Sequence, residues 1–104
     1  LYESAYEKAM TYELEKNGLK VERQVVVPFV YKGVSIELGY HMDLLVEDQV
    51  VVEIKSVDAL NEDHFKEIMT YIRLAGKKHG LLINFNVVSL EEKISLQHIV
   101  NNYK

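Results

Sequence analysis

The chain has 104 residues, enough for one domain and too few for a second core. Hydrophobic residues make up 48% and charged residues 27%, a folded composition that excludes global disorder. Non-specific nucleic-acid binders usually carry a basic surplus, so the net charge of -4 argues against avid duplex binding by one chain, though not against an enzyme that grips substrate locally through a metal ion and a few lysines.

There is no cysteine, which removes disulfides, thiolate metal sites and cysteine nucleophiles together and fits a reducing cytoplasm. No apolar run approaches the roughly 18 residues of a membrane span. The start, Leu1-Tyr2-Glu3-Ser4, lacks the basic and apolar regions of a signal peptide. The chain opens without Met, so a few residues are expected ahead of it.

The spacing of Tyr2, Ala5, Tyr6, Ala9 and Tyr12 or Glu13 predicts a helix from Tyr2 to Lys16. Asn17-Gly18 stops it, because Gly accepts the left-handed conformation of a helix C-terminus. A strand is expected over Val25 to Tyr31, with Val25, Val27, Phe29 and Tyr31 on one face. Pro28 cannot donate to a ladder, so this strand belongs at an edge or is bulged. After a Lys32-Gly33 turn, alternation predicts a second strand, Val34 to Val46, with Met42, Leu44 and Val46 on one face and His41, Asp43 and Leu45 on the other. A third strand, Val50 to Val57, places Val51, Glu53, Lys55 and Val57 on one side. Asn61 or Asp58 caps a second helix with a stripe of Phe65, Ile68, Met69 and Ile72, ended by Gly76. The run from Leu81 to Phe85 has the continuous apolarity of a strand buried on both faces. In the tail, Ile94, Leu96, His98 and Val100 alternate as a strand does, although Ser89 and Glu92 have capping-box spacing. The expected fold is α/β: helix, three-strand antiparallel meander, helix, strand, in a mixed sheet flanked by helices.

The chemistry concentrates in the hairpin of the second and third strands. With Glu47-Asp48-Gln49 as a three-residue loop, Val46 faces Val50, Asp43 lies opposite Glu53, and His41 lies opposite Lys55. Opposed side chains leave one face with Cβ atoms about 4.5–5.5 Å apart, so two carboxylates there repel unless something neutralises them. A divalent cation with hard oxygen ligands does so, and Mg²⁺ suits two carboxylates, waters and a substrate phosphate. Lys55, one strand period beyond Glu53, shares that face and can assist a water or stabilise negative charge on phosphate. A one-residue slip would send Asp43 to the other face.

Asp43 followed by Glu53-Ile54-Lys55 on adjacent strands resembles the D…(D/E)-x-K signature of the PD-(D/E)XK nucleases. Leu1-Tyr2-Glu3-Ser4-Ala5-Tyr6 resembles the GxxExxY motif that names one bacterial family of that superfamily. So do the stretches Tyr12-Glu13-Leu14 through Val21, Tyr40 to Val46 and Gly80 to Phe85, which carry the resemblance over nearly the whole chain. The resemblance implies a restriction-endonuclease-like core and a Mg²⁺- or Mn²⁺-dependent nuclease acting on nucleic acid, DNA first. It assigns catalysis to Asp43, Glu53, Lys55 and Glu3, and metal binding to Asp43, Glu53, the Ile54 carbonyl and Glu3. The Gly of GxxExxY would precede Leu1, and Glu67 with Tyr71 stands where relatives often carry Gln-x-x-x-Tyr.

Other residues have plainer readings. A glutamate in a first helical turn usually complements the helix dipole, which is the alternative for Glu3. Tyr2, Tyr6 and Tyr12 are expected as core and rim packing, and Arg73, Lys77 and Lys78 as a solvated helix end. His41 is expected as a half-buried strand residue. His64, His79 and His98 lack ligand spacing for zinc. The rival to a nuclease is a catalytically silent binding or assembly module of the same fold. So short a chain offers little surface for gripping a duplex, which leaves room for a homodimer.

Overall fold

The computed structural model describes residues 2–86 and 93–101. The elements run α1 (Glu3–Lys16), β1 (Val21–Val26), β2 (Val30–Tyr31), β3 (Val34–Ser35), β4 (His41–Val46), β5 (Val50–Lys55), α2 (Glu62–Leu74), β6 (His79–Asn86) and β7 (Lys93–Val100). Five strands form a mixed sheet in the order β1-β4-β5-β6-β7, and β2 and β3 form a separate two-stranded hairpin. β5 and β6 are parallel and joined through α2; the other neighbours in the sheet are antiparallel. This is the expected α/β architecture with a restriction-endonuclease-like core.

Two apolar clusters, one on each face of the sheet, hold the helices. On one face Tyr6, Met10 and Leu14 of α1 pack against Leu44, Val46, Val52, Ile54 and Ile83. On the other, Ile68, Tyr71 and Ile72 of α2 pack with Leu45, Val51 and Leu82. From Leu44 to Val46 and along β5 the period of two sends alternate residues to α1 and α2. Met42, expected on the face of Leu44 and Val46, instead joins Leu45 in the cluster under α2, beyond the point where the β4–β5 ladder ends. Burying both faces is why these strands are almost wholly apolar. The α1 stripe differs from the expected one: Tyr6 stacks on Phe85 with ring centroids 4.1 Å apart, whereas Tyr2 and Tyr12 are exposed. Asn61 is the N-cap of α2, in a reciprocal box in which its side chain accepts from His64 N–H and its own N–H donates to His64 Nδ1.

The strands differ from expectation between residues 25 and 40. The first strand of the sheet is Val21–Val26, and it ends just before Pro28, which has no N–H for a ladder. It does take an edge of the sheet. The long strand expected from Val34 to Val46 is broken, since only Val34–Ser35 pair with the β2 strand before β4 begins at His41. Gly39, at φ +79, turns the chain within that gap in a conformation that side chains rarely adopt. The Lys32-Gly33 turn is present, both residues having positive φ as a tight hairpin requires. The third strand stops at Lys55 rather than Val57, and Asn84 holds Val57 by bonds to both its N–H and its C=O. The tail is a strand, β7, paired along its length with β6. The Ser89 and Glu92 capping spacing lies outside the described residues.

Candidate active site and metal centre

The β4–β5 register is the expected one: Val46 pairs with Val50, Leu45 with Val51 and Leu44 with Val52. Glu47 and Asp48 supply the loop with two left-handed residues, at φ 53 and 55, which lets a short hairpin follow the strand twist. Beyond Leu44 the ladder gives way to side chains. The Asp43 N–H donates to Glu53 Oε2 at 2.7 Å, and the Ile54 N–H donates to Asp43 Oδ2 at 2.8 Å. Each carboxylate therefore has one oxygen anchored by the backbone of the opposite strand. The Ile54 carbonyl faces the same gap, because N–H and C=O of one strand residue point to the same side.

This pair is costly to ionise. Burial, then the charge of Asp43, pushes the Glu53 carboxyl up to about 9. Burial also raises Asp43 above the usual carboxylate range, against the opposing pull of the Ile54 amide. Two buried carboxyls that resist ionisation side by side are a donor set for a hard cation, whose charge would offset both penalties. Glu53 Oε1 takes no hydrogen bond among the described residues, so one oxygen is left for such an ion. No group of three or more His, Cys, Asp or Glu side chains converges among the described residues. A metal here would rest on Asp43, Glu53 and backbone oxygen, with water or phosphate completing its shell.

Lys55 stays a cation beside the pair. Burial alone would lower its pKa, but a 2.7 Å bond to Glu67 Oε1, with the charges of Glu67, Glu53 and Asp43, raises it overall. Lys55 and His41 do not meet across the ladder: His41 pairs with Val26 of β1, and Lys55 reaches to α2. Glu3 lies at the end of β5, where its carboxylate accepts from the Ser56 N–H at 3.1 Å.

Four residues join the site that spacing alone did not single out for it. Glu7, one turn after Glu3, is buried and accepts from Arg23 Nε at 3.2 Å and Gln24 Nε2 at 2.9 Å. The same Gln24 amide lies 3.4 Å from Asp43 Oδ1, and the Glu7 charge contributes to raising Asp43. A charged residue on the α1 stripe beside Tyr6 was the available signal. On α2, Glu67 holds Lys55, and Tyr71 one turn later sits against Tyr40, ring centroids 6.1 Å apart. Burial, then the charges of Glu67 and Glu53, pushes the Tyr71 hydroxyl up to about 12, so it remains a proton-bearing donor.

The remaining candidates fall outside this cluster. His79 Nδ1 and His98 Nε2 come within 3.0 Å on neighbouring strands, a two-residue contact with no third ligand among the described residues. Lys77 pairs with Asp48 at the far end of the hairpin. Among the described residues, no helix is long and apolar enough to cross a membrane.

Comparison with known proteins follows the same lines. No curated protein sequence matches the chain. Among solved structures, the crystal structure of SSO0001 superposes with a TM-score of 0.67 at 15% identity, covering 97% of this chain and 51% of that one. LHK-Exo in complex with dAMP gives a TM-score of 0.64 at 14% identity, covering 91% of this chain and 53% of that one. The alkaline exonuclease LHK-Exo from Laribacter hongkongensis gives 0.52 at 15%, covering 91% and 54%. The chain thus spans about half the length of these structures, and at such identities the likeness is one of fold. The model of the PD-(D/E)XK nuclease superfamily matches residues 1–96, nearly the whole chain with its strand hairpin and both helices, and the chain belongs to that superfamily.

Proposed function

We propose that residues 1–104 form one nuclease domain that hydrolyses phosphodiester bonds of nucleic acid, DNA in the first instance, at Asp43, Glu53 and Lys55. The observation that carries this reading is the reciprocal anchoring of Asp43 and Glu53 in the gap where β4 and β5 part. Members of the superfamily generally use divalent metal ions. A divalent ion held by Asp43, Glu53 and the Ile54 carbonyl would supply Lewis-acid activation of a water and of the phosphate. We take it to be Mg²⁺ or Mn²⁺, because the donors are hard oxygens and sulfur is absent from the set.

Within this reading each side chain has one task. Loading would require Glu53 to release the proton that its raised pKa holds near neutral pH, a cost that the charge of a bound cation would have to offset. Burial raises Asp43 in the same direction. Lys55, kept cationic by Glu67, stands by the attacking water and the developing phosphate charge. Glu3, bonded to the amide after Lys55, supports the end of β5. Within the superfamily, the motif at Leu1 to Tyr6 favours the GxxExxY family. The nucleotide held by LHK-Exo, a fold neighbour, accords with a nucleic-acid substrate.

The test is cleavage of labelled DNA by purified protein with Mg²⁺ or Mn²⁺. Glu53→Ala is expected to abolish metal-dependent cleavage while leaving the far-UV circular dichroism unchanged. Cleavage that survives the substitution sinks the proposal. The rival, a silent binding or assembly module, has the acidic balance in its favour. It has no use for metal at Asp43, so calorimetry with Mg²⁺ or Mn²⁺ separates the two.

A further inference from the structure

Exposed apolar side chains are concentrated in one segment of this molecule. Of nine exposed large hydrophobic residues among the described ones, six fall between residues 26 and 40: Val26, Val30, Tyr31, Val34, Leu38 and Tyr40. That segment leaves the sheet after β1 and returns at β4, two residues before Asp43. It is stapled at its base by Val27 N–H to the Tyr40 carbonyl, 2.9 Å, and inside by Ile36 N–H to the Phe29 carbonyl, 2.8 Å. Its small sheet is only two residues long on each side. A two-stranded hairpin of this kind is marginal by itself, and single exposed apolar residues need no explanation where a contiguous set does.

The placement of this patch points to its occupant. Tyr40 packs against Tyr71, whose hydroxyl feels the charges of Glu67, Glu53 and Asp43. Through Tyr40 the segment thus meets α2, the helix whose Glu67 holds Lys55 beside the carboxylates. Half-exposed tyrosine rings stand at each end of it, Tyr40 by the site and Tyr31 in the hairpin, and Lys32 lies over the Tyr31 ring at 5.5 Å. Aromatic rings interleaved with a cation are the arrangement by which proteins hold unpaired nucleobases. The charge of the chain presses the same way. At a net -4 the molecule has little long-range attraction for a phosphate backbone, so contacts other than charge gain weight in holding a strand. Base stacking on exposed tyrosines is one such contact, and it is available only where bases are unpaired, as in a single strand or a frayed end.

We infer that the segment from Val26 to Tyr40 is a base-stacking arm, with Tyr40 and Tyr31 as its platforms, that delivers an unpaired strand to the Asp43–Glu53 site. The inference rests on reading that site as a nuclease centre and specifies its substrate as single-stranded or end-frayed nucleic acid. A second copy of the chain is the competing occupant, since four of the six residues are aliphatic.

The experiment uses fluorescence anisotropy with a labelled oligothymidylate and with the same strand annealed to its complement. Ca²⁺ replaces Mg²⁺ so that binding is read, and strand integrity is checked on a gel. The single strand is expected to bind more tightly than the duplex. Tyr40→Ala and Tyr31→Ala are each expected to weaken it by about 5- to 150-fold, one lost stacking contact apiece. Tyr40→Phe and Tyr31→Phe keep the ring and are expected to stay within about twofold of the parent. Equal binding of duplex and single strand overturns the arm, as does affinity unchanged by both alanine variants. Sedimentation of the same proteins adds the last arm: a dimer that dissociates on Tyr31→Ala assigns the patch to a second copy and overturns the proposal. Failure of the nuclease reading looks different. There the wild type would cleave nothing with Mg²⁺ or Mn²⁺, while the tyrosine dependence of binding could still be measured.

Discussion

At the level of single residues, the acidity of Glu53 makes the strongest demand on the molecule. Its carboxyl titrates near 4.5 in an unfolded chain and is pushed up to about 9 by burial and Asp43. Between those values the folded metal-free protein holds a proton that the unfolded chain has released, so stability declines as pH rises through that window. The melting temperature of metal-free protein is therefore expected to be highest toward the acid end and to fall up to about pH 9. Glu53→Gln, which cannot ionise, should flatten that slope in a thermal scan. Lys55 and Glu67 divide differently. Lys55→Gln removes the cation that Glu67 holds in the pocket and should lower kcat by about 10²–10³-fold. Glu67→Gln keeps an acceptor for Lys55 and should retain activity within about tenfold, measured on the same labelled DNA. Asp43, Glu53 and Lys55 were legible in the sequence because strand period and loop length fix which residues share a face. Gln24 was not. It adopts a left-handed φ of 50 beside Asp43, and no spacing rule announces that a glutamine will leave the ladder to reach two acids.

Elements were legible where one rule governed them and illegible where two competed. α2 has a periodic stripe and a cap, and its position followed from both. For α1 the tyrosines suggested a face, yet Glu7 and Thr11 are the residues its packing buries, because polar partners on β1 await Glu7 and the Thr11 hydroxyl bonds back to the Glu7 carbonyl. Between Val25 and Tyr40 alternation continued past the real strand ends: Pro28, read as a mark of an edge or a bulge, instead lies beyond the end of the strand, and the pattern is blind to the turn at Gly39. Two measurements belong here. Glu7→Ala leaves Arg23 and Gln24 without their shared acceptor and is expected to destabilise the protein by about 1–3 kcal/mol in urea titrations. Asn61→Ala, which removes only the α2 cap, is expected to cost about 1 kcal/mol by the same method and to leave metal binding unchanged.

Across the whole molecule, the sheet acts as a frame that parts two strands at one point and lets α1 and α2 each bring an acid to it. Glu7 approaches from one face paired with Arg23, and Glu67 from the other paired with Lys55, which leaves the buried Asp43–Glu53 pair as the acids that a cation would serve. On the proposed reading, a buried acid pair within an acidic chain makes cation loading, more than phosphate attraction, the step that would prepare the site. Few phosphates should then be neutralised on binding. A plot of log affinity for single-stranded DNA against log salt is expected to have a slope of about -2 or shallower, where a basic binder making many contacts is much steeper. The central claim is that Asp43 and Glu53 form one cation site. Diffraction from crystals soaked in Mn²⁺, recorded so that manganese scatters anomalously, tests it most directly. The account expects one anomalous peak in the gap between Asp43 and Glu53, lost in Glu53→Gln; no peak there, or one that persists in the variant, contradicts it.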